Sequence, residues 1–198
     1  MKRRSFIKKG ALLSSAPFIT TGLFARALTN KKIAERPFKL NYAPHFGMFK
    51  HNAGDDLLDQ IQFMHDQGFR SLEDNGMKGR SKKTQNEIAK KMAKLNMDMG
   101  VFVGHKIYWR EPNLTSGDKS LQDEFVNNIK DSIDVAKRVN ATWMTVGPGH
   151  VDLKKEMAYQ TVNVVEALRR ASELLEPHGL VMVLEPLNWW SNHAGQFL

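Results

Sequence analysis

Five side chains that can bind a metal ion or transfer a proton occur at similar places in the sequence, each after a short apolar run. They are His45, Glu73, His105, His150 and Glu185. Imidazole and carboxylate groups are ligands for Zn²⁺, Mn²⁺, Co²⁺ and Mg²⁺, and a divalent ion can polarise a carbonyl while a nearby carboxylate moves a proton. One such residue alone is more often an ordinary loop residue or a helix cap. Five at equivalent positions indicate enzyme chemistry on an oxygen-rich substrate.

The elements that position these residues alternate between strand and helix. Predicted strands cover residues 39–43, 70–73, 99–103, 143–146 and 180–184. Between them, apolar residues recur at intervals of three and four, which is typical of the buried face of a helix. Five such units predict an α/β domain with a parallel sheet. The pattern leaves two architectures open, a flavodoxin-like doubly wound sheet and five-eighths of a (β/α)8 barrel. Both bind ligands at the carboxyl ends of their strands.

Three local features predict details of these elements. Thr84 and Glu87 have the spacing of a capping box for the second helix. The last long helix is predicted to bury an apolar stripe made of Val162, Val165, Leu168 and Leu175. The strand 181–184 is apolar throughout and is therefore predicted to be covered on both faces.

The N-terminal residues predict an export signal rather than part of the fold. Basic residues at positions 2–9 precede an uncharged apolar stretch at 10–24, and Ala25 and Ala27 supply a cleavage site. The stretch is shorter than the roughly 20 residues that a membrane-spanning helix needs. Arg3-Arg4 followed by Ser-Phe-Ile-Lys resembles a twin-arginine signal, with an ordinary secretory signal as the alternative. We expect residues 1–27 to be cleaved, residues 28–37 to be a linker, and 38–198 to form the domain of a periplasmic or otherwise exported protein.

Charge and cysteine content exclude several kinds of site. Cleavage after residue 27 would remove six basic residues and no acidic one, which lowers the formal net charge from +8 to +2. So small a charge argues against a nucleic-acid-binding protein, and the basic residues at 78–83 are predicted to be a solvated helix start. The chain has no cysteine, so disulfides, thiolate metal ligands and a lipid-anchor cysteine are excluded. We expect neither a nucleic-acid partner nor a stable membrane anchor.

Three segments resemble hydroxypyruvate isomerase-like proteins of the xylose isomerase-like TIM-barrel superfamily. They are Tyr-Ala-Pro-His-Phe-Gly at 42–47, Gly-Phe-Arg-Ser-Leu-Glu-Asp-Asn-Gly at 68–76 and Val-Leu-Glu-Pro-Leu-Asn at 183–188. The resemblance extends over about 38–198, and its most specific part is the last segment. It implies a TIM barrel of which about five βα units are present.

The resemblance also implies an activity and a site. Glu185 would bind a divalent metal (Mg²⁺, Mn²⁺, Co²⁺ or Zn²⁺) and act as a general acid/base. The substrate, a small sugar or hydroxy-carbonyl compound, would contact five further residues: His45, Glu73, His105, His150 and Asn188. Independently of the resemblance, the aromatic residues Tyr108, Trp109, Trp189 and Trp190 are candidates for the wall of a sugar pocket, while Phe102 is assigned to the core. The expected reaction is isomerisation of a compound such as hydroxypyruvate to tartronate semialdehyde through an enediolate.

The superfamily takes its remaining metal ligands from strands six to eight. The resemblance therefore implies a C-terminally truncated barrel that is poorly stable and inactive by itself.

Dehydration of inosose or dehydroshikimate is a neighbouring chemistry. A nuclease like endonuclease IV is disfavoured by the export signal and the low charge of the cleaved chain. A non-catalytic periplasmic sugar-binding or degenerate barrel protein is the alternative to an enzyme. The expected partners are the small-molecule substrate and the twin-arginine export machinery.

Overall fold

The computed structural model describes residues 38–198 of the 198-residue chain. The predicted signal peptide at 1–27 and linker at 28–37 lie outside the described residues. The described α-helices are α1 (Lys50–Ala53), α2 (Leu57–Asp66), α3 (Lys82–Lys94), α4 (Lys119–Val139) and α5 (Met157–Leu175). Short 3₁₀ helices cover Met77–Gly79, Leu114–Ser116 and Glu176–His178. Within 38–198, no helix is long and apolar enough to cross a membrane.

The strands form one parallel arrangement in sequence order. They are β1 (Ser71–Leu72), β2 (Asp98–Met99), β3 (Trp143–Val146) and β4 (Val181–Leu184). β1 pairs with β2, and β3 pairs with β4, both in parallel. Two parallel bridges, Met99 with Ala141 and Val103 with Thr145, join the two pairs, and His45 bridges to Glu73 on the other side of β1.

This order decides between the two architectures that the sequence left open. A flavodoxin-like sheet reverses its strand order at a switch point. Here every strand segment pairs with the next one along the chain, and α2, α3 and α4 each pack against the helix that follows. Helices in one sequential layer on a sequential parallel sheet are the arrangement of a (β/α)8 barrel. The described residues form about five βα units of such a barrel.

The first three predicted strands are less regular than their apolar patterns indicated. The predicted strand at 39–43 makes no regular ladder, and its segment joins the sheet through the bridge at His45. The third predicted strand pairs regularly only at Asp98–Met99 and resumes at Val103. Leu72 aligns with Met99 in the parallel ladder. Asp74 N, however, donates a hydrogen bond to Val101 O, which lies one residue further along the partner segment than this register predicts. The extra residue is a bulge, which bends a strand and re-aims the side chains that follow it.

The core lies between the sheet and the helix layer. Leu72, Phe102, Met144 and Val146 are buried from the sheet side. They meet a helix-side set that includes Ile61, Met64, Ile88, Met92, Ile129, Ala136, Val164, Ala167 and Ala171. The apolar stripes predicted from helical spacing are confirmed at these buried positions: Ile61 and Met64 of α2, Ile88 and Met92 of α3, and Phe125, Ile129, Ile133 and Ala136 of α4.

The predicted capping box of α3 is wrong. The helix begins after Ser81, whose Oγ accepts a hydrogen bond from Thr84 N at 3.1 Å. Thr84 therefore lies inside the first turn, while Glu87 makes a long, exposed ion pair with Lys83 at 3.9 Å. Ser81 is itself a preferred N-cap residue, three positions before Thr84, and it takes the role that was predicted for Thr84.

The buried face of α5 agrees with the prediction at Leu175, which is 1% exposed, and in part at Leu168, but it differs at the two predicted valines. Val162 and Val165 are 65% and 47% exposed, whereas Val164 is 4% exposed. Ala167 and Ala171 share the buried face with Val164 because small residues let α5 approach α4 closely. The two arrangements have similar helical spacing, so periodicity did not identify the face that packs against α4.

The prediction that β4 is covered on both faces is wrong for the described residues. Val181, Val183 and Leu184 are 40%, 36% and 40% exposed. Within 38–198, β4 pairs only with β3, so it lies at the edge of the described sheet. Met182 and Leu184 are in register with the buried Met144 and Val146. By the alternation of a strand, Val181 and Val183 face the open inner side, although Val181 also borders a groove beside Leu168 of α5.

Candidate active site

The first two strand ends bring an imidazole and a carboxylate together. His45 Nε2 lies 2.5 Å from Glu73 Oε1, and the two backbones form a parallel bridge. Neighbouring residues of a parallel ladder project to the same side of a sheet, which places the two side chains in contact. Their side chains are 42% and 25% exposed. His45 and Glu73 thus form one hydrogen-bonded pair that solvent can reach.

His105 lies beneath the loops at the next strand end. It is 5% exposed, and its ring packs edge-on against Phe125 with centroids 4.9 Å apart. His105 Nε2 accepts a hydrogen bond from Gly147 N at 3.1 Å. Burial is the main cause that lowers the pKa of His105 to about 4, and the charge of Lys78 lowers it further. The imidazole is therefore neutral at pH 7, and Nε2 is engaged by the backbone.

The predicted solvated cluster at 78–83 is wrong for two of its members. Lys78 Nζ is partly buried and donates to Gly104 O at 3.0 Å, and Ser132 Oγ donates to the same carbonyl. Burial lowers the pKa of Lys78. Arg80 Nε lies 2.6 Å from the carboxylate of Asp74, which is buried. A run of basic residues in the sequence does not predict these buried contacts, because they depend on where the 3₁₀ helix before α3 places Lys78 and Arg80.

The segment from Gly147 to Val151, here named the glycine loop, carries His150. Val151 N donates to Gly195 O at 2.7 Å, and Phe197 N donates to Gly149 O at 2.8 Å. Residues 195–197 therefore run antiparallel along the loop. This contact links the segment after β4 to the segment after β3.

The His150 imidazole is packed inside this crossing. Its Nδ1 lies 2.9 Å from Val151 O. A Cβ built on Gly195 would lie 2.1 Å from His150 Nε2, so only glycine fits against the ring. On the other side, Thr115 Oγ1 donates to His150 O. The position of His150 thus depends on both neighbouring loops.

Glu185 lies at the carboxyl end of β4, where the sequence analysis placed it. Its backbone N donates to Val146 O at 3.2 Å, which continues the β3–β4 ladder by one residue. Its side chain is exposed. Asn188, a predicted substrate contact, is also exposed, but its Oδ1 accepts a hydrogen bond from Ser191 N at 3.1 Å. Asn188 therefore also shapes the turn that follows Glu185.

Aromatic residues border the same edge of the sheet. Trp109 stacks on His193 with ring centroids 5.1 Å apart and an interplanar angle of 29°. Gln196, which is 6% exposed, donates to Trp109 O at 3.1 Å and holds this loop. Trp189 and Trp190 are exposed. The sequence analysis identified the tryptophans but missed Gln196, because a single polar residue near the end of the chain has no recognisable pattern.

A separate groove of about 370 Å³ opens at the amino-terminal ends of the strands. Its lining includes residues 38–42, Arg70 and Asp98. Ligands of parallel α/β folds bind at the opposite, carboxyl ends. The predicted site residues all belong to that opposite edge, so we do not assign this groove to the active site.

The described residues do not form a complete metal site. Within 38–198, no group of three His, Asp or Glu side chains is close enough to hold an ion. Protein sites for Mg²⁺, Mn²⁺ and Zn²⁺ take several donors, and Glu185 supplies one. The described part of the chain therefore does not fit the predicted metal by itself, and metal binding by Glu185 stays a prediction.

A family model described as "Xylose isomerase-like TIM barrel" matches residues 61–198, which is more than half of the chain. The chain belongs to the xylose isomerase-like TIM-barrel family. Comparison with curated proteins gives no significant match. The family membership confirms the superfamily that the three sequence segments indicated and agrees with the sequential parallel strands.

Solved structures share this fold at low sequence identity. An AP endonuclease of family 2 from Brucella melitensis is 19% identical with a TM-score of 0.63, and the match covers 79% of this chain and 58% of that chain. A D-psicose 3-epimerase from Clostridium cellulolyticum is 16% identical with a TM-score of 0.59, covering 78% and 55%. A 3-keto-D-glucoside 4-epimerase from E. coli is 15% identical with a TM-score of 0.61, covering 78% and 59%.

These likenesses show the fold of this xylose isomerase-like chain. The chain spans between 55% and 59% of the three structures. The narrower resemblance to hydroxypyruvate isomerase-like proteins and the truncation of the barrel stay predictions, as do the roles of the individual site residues.

Proposed function

We propose that this chain carries part of the active site of an isomerase or epimerase that acts on a small sugar or hydroxy-carbonyl compound. The observation that supports this most directly is the exposed carboxylate of Glu185 at the carboxyl end of β4, beside the glycine loop that carries His150. Several structural neighbours are named as sugar epimerases, which agrees with such an activity. Hydroxypyruvate is the substrate that the sequence resemblance favours.

The proposed chemistry is a proton transfer between carbon atoms. The Glu185 carboxylate takes the proton from the carbon next to the substrate carbonyl, and the electron pair of that C–H bond moves to form an enediolate. To give the isomer, a proton returns to the former carbonyl carbon and the hydroxyl proton moves to the former carbonyl oxygen, which leaves the new carbonyl on the other carbon. Return of a proton to the opposite face of the original carbon gives the epimer. The His45–Glu73 pair and Asn188 offer polar groups for substrate hydroxyls at the same edge of the sheet.

The enediolate needs charge stabilisation, which a divalent metal or fixed hydrogen-bond donors can supply. Further donors from outside the described residues would be needed to hold such an ion with Glu185.

We propose export by the twin-arginine route from the residues at 3–8 and a periplasmic or otherwise exported location. A non-catalytic sugar-binding protein is the competing function, and it differs in one measurable way, because it would bind the sugar without moving the proton.

The test is deuterium incorporation from D₂O into hydroxypyruvate and into ketohexoses, followed by NMR. Glu185→Gln should lower the exchange rate by about 100-fold or more, a typical contribution of a general acid/base. Glu176→Gln is the matched control, since Glu176 is exposed at the other end of β4 and should leave the rate unchanged. Electron paramagnetic resonance of added Mn²⁺, with wild type and Glu185→Gln, tests metal binding separately from turnover.

The outcomes separate the two functions. Tight sugar binding without exchange in the wild type would favour the non-catalytic sugar-binding protein, whereas loss of both binding and exchange is the result that the predicted truncation would cause. Exchange that is equally fast in Glu185→Gln would contradict the assignment of Glu185 as the acid/base while leaving an isomerase possible.

A further inference from the structure

A buried histidine joins two neighbouring strand ends below the candidate site. One strand end is the Gly104–His105 peptide, which follows the segment that starts with β2 and bridges to Thr145 at Val103. The other strand end is Gly147, which follows β3. His105 Nε2 accepts the hydrogen bond of Gly147 N at 3.1 Å, and the residues of this contact are all buried. This is the first residue of the glycine loop, so the bond lies where the regular ladder ends and the loop begins.

The histidine is itself held rigidly from behind. Lys78 Nζ donates to Gly104 O at 3.0 Å and to Asn128 O of α4 at 2.6 Å. Ser132, one helical turn after Asn128, donates to the same Gly104 carbonyl. A Cβ on Gly104 would lie 2.9 Å from Met144 Sδ, so the peptide packs directly against β3. The peptide before His105 therefore has little freedom to shift.

The chemistry of the ring suits an acceptor. The Phe125 ring packs perpendicular to the imidazole, and burial of the imidazole disfavours its charged form. Lys78 is the nearby cation, while Lys106 and Glu124 are the other charged groups around this loop. A neutral imidazole has one acceptor nitrogen, and the short contact from a backbone N–H requires that nitrogen to be Nε2.

Movement at Gly147 would reach the candidate site directly. The next residues of the glycine loop are tied to Thr115 on one side and to residues 195–197 on the other, with His150 between them. The β3–β4 ladder places Gly147 beside Glu185, because Glu185 N bonds to the preceding carbonyl of Val146. The His105–Gly147 bond therefore lies at the start of the loop that carries His150 and next to the backbone of Glu185.

We propose that His105 is a positioning residue, whose ring accepts the hydrogen bond of Gly147 N–H and thereby fixes the start of the glycine loop, next to the end of β4 that carries Glu185. This differs from the direct substrate contact predicted from its place at a strand end. Its effect on turnover rests on the proposed isomerase or epimerase function, whereas its effect on the loop does not.

The experiment uses the full chain and two variants. Phenylalanine at position 105 keeps an aromatic ring but has no acceptor, while glutamine offers an uncharged acceptor oxygen. Backbone amide exchange at Gly147 is measured by NMR without any substrate. His105→Phe should raise it by about tenfold or more, as expected for one lost buried hydrogen bond, with the amides of Ile88 and Met92 in α3 unchanged. His105→Gln should restore protection to within a few-fold of wild type.

A scalar coupling across the hydrogen bond between Gly147 N and His105 Nε2, measured in the wild type, keeps the test decisive if His105→Phe does not fold. Absence of that coupling would overturn the proposal. The proposal would also be overturned if the Gly147 amide exchanged at the same rate in wild type and in His105→Phe. Equal Gly147 exchange rates in His105→Phe and His105→Gln would overturn it as well.

Turnover provides the positioning readout. Deuterium exchange into substrate should fall by about tenfold in His105→Phe and recover in His105→Gln, without a matching loss of global stability. A residue that bound substrate through a protonated ring would instead lose activity in both variants, which contradicts the proposal. If wild type shows no turnover at all, the proposed function fails while the amide exchange still decides the role of His105.

Discussion

Three histidines with similar sequence contexts have different environments in the fold. His45 is paired with Glu73 and partly exposed, His105 is buried as an acceptor, and His150 is packed against Gly195 within two crossing loops. His105 and His150 follow paired strand segments, as the sequence analysis predicted, whereas His45 itself forms the bridge that joins its segment to the sheet. Their neighbours come from distant parts of the chain, and these neighbours give each imidazole a different chemical role.

The environment of His105 predicts a specific pH dependence of stability. Its pKa is about 4 in the folded chain, against 6.5 for an ordinary histidine. Between these values the unfolded chain binds a proton that the folded chain does not, so stability falls as the pH falls from 6.5 to 4, and His105 has little effect above that range. From pH 7 to pH 5, wild type should lose about 2 kcal/mol more than His105→Gln.

Urea unfolding of both proteins at pH 7 and pH 5 measures this difference. The other titrating groups, including Asp118 and Asp123 whose pKa values are lowered by hydrogen bonds, are common to both proteins and largely cancel. Equal losses of stability in the two proteins would show that folding does not lower the pKa of His105, which contradicts the prediction.

At the scale of the elements, helices were easier to predict than strands. α2 begins after Asp56, whose Oδ1 accepts from Leu58 N at 2.8 Å, and the chain after it turns at Gly68 with a φ of 98°. These local signals mark the helix bounds. The first three strand segments pair over only one or two residues before a bridge or a bulge, because their pairing depends on partners that are distant in sequence.

A matched pair of substitutions in α5 tests which face of this helix is buried. Val164→Ala removes two methyl groups from a side chain that is 4% exposed and should lower the free energy of unfolding by about 2 kcal/mol. Val162→Ala removes the same atoms from a side chain that is 65% exposed and should change it by less than about 0.5 kcal/mol. The change in helix propensity is the same for both. Urea denaturation measures the difference in the free energy of unfolding. A larger effect at Val162 would show that Val162 lies on the buried face, as the sequence analysis predicted.

At the scale of the whole molecule, the described sheet is open. β4 has a partner on one side only within 38–198, and its inner residues Val181 and Val183 are exposed together with Trp143. An exposed apolar strand edge is a site for pairing with other chains. A polypeptide that consists of residues 38–198 alone is therefore expected to self-associate through this edge.

A lysine on the inner face of β4 should reduce this self-association. Val183→Lys places a charge on the open face, and sedimentation velocity over a range of concentrations should show a larger monomer fraction than wild type. Thr161→Lys adds the same charge at an exposed position of α5 and should leave the monomer fraction nearly unchanged. An equal gain in both variants would assign the effect to net charge instead of to the strand edge.

The sequence by itself determined the alternation of strand and helix, the stripes of α2 to α4 and the strand ends that carry the polar residues. It did so because periodicity, caps and turn residues are local properties. It also identified the superfamily, through short segments around His45, Glu73 and Glu185. The family comparison confirms that membership, while the residue roles stay predictions.

Only the tertiary structure decided which contacts those residues make. A barrel-like strand order instead of a doubly wound one, the burial of Lys78 and His105, the buried face of α5 and the hold of Gln196 on Trp109 all depend on segments far apart in the chain. A hydrogen bond such as Gly147 to His105 joins residues 42 positions apart. Its formation depends on the pairing of two strands and the packing of α4 behind them, and no local pattern encodes that geometry.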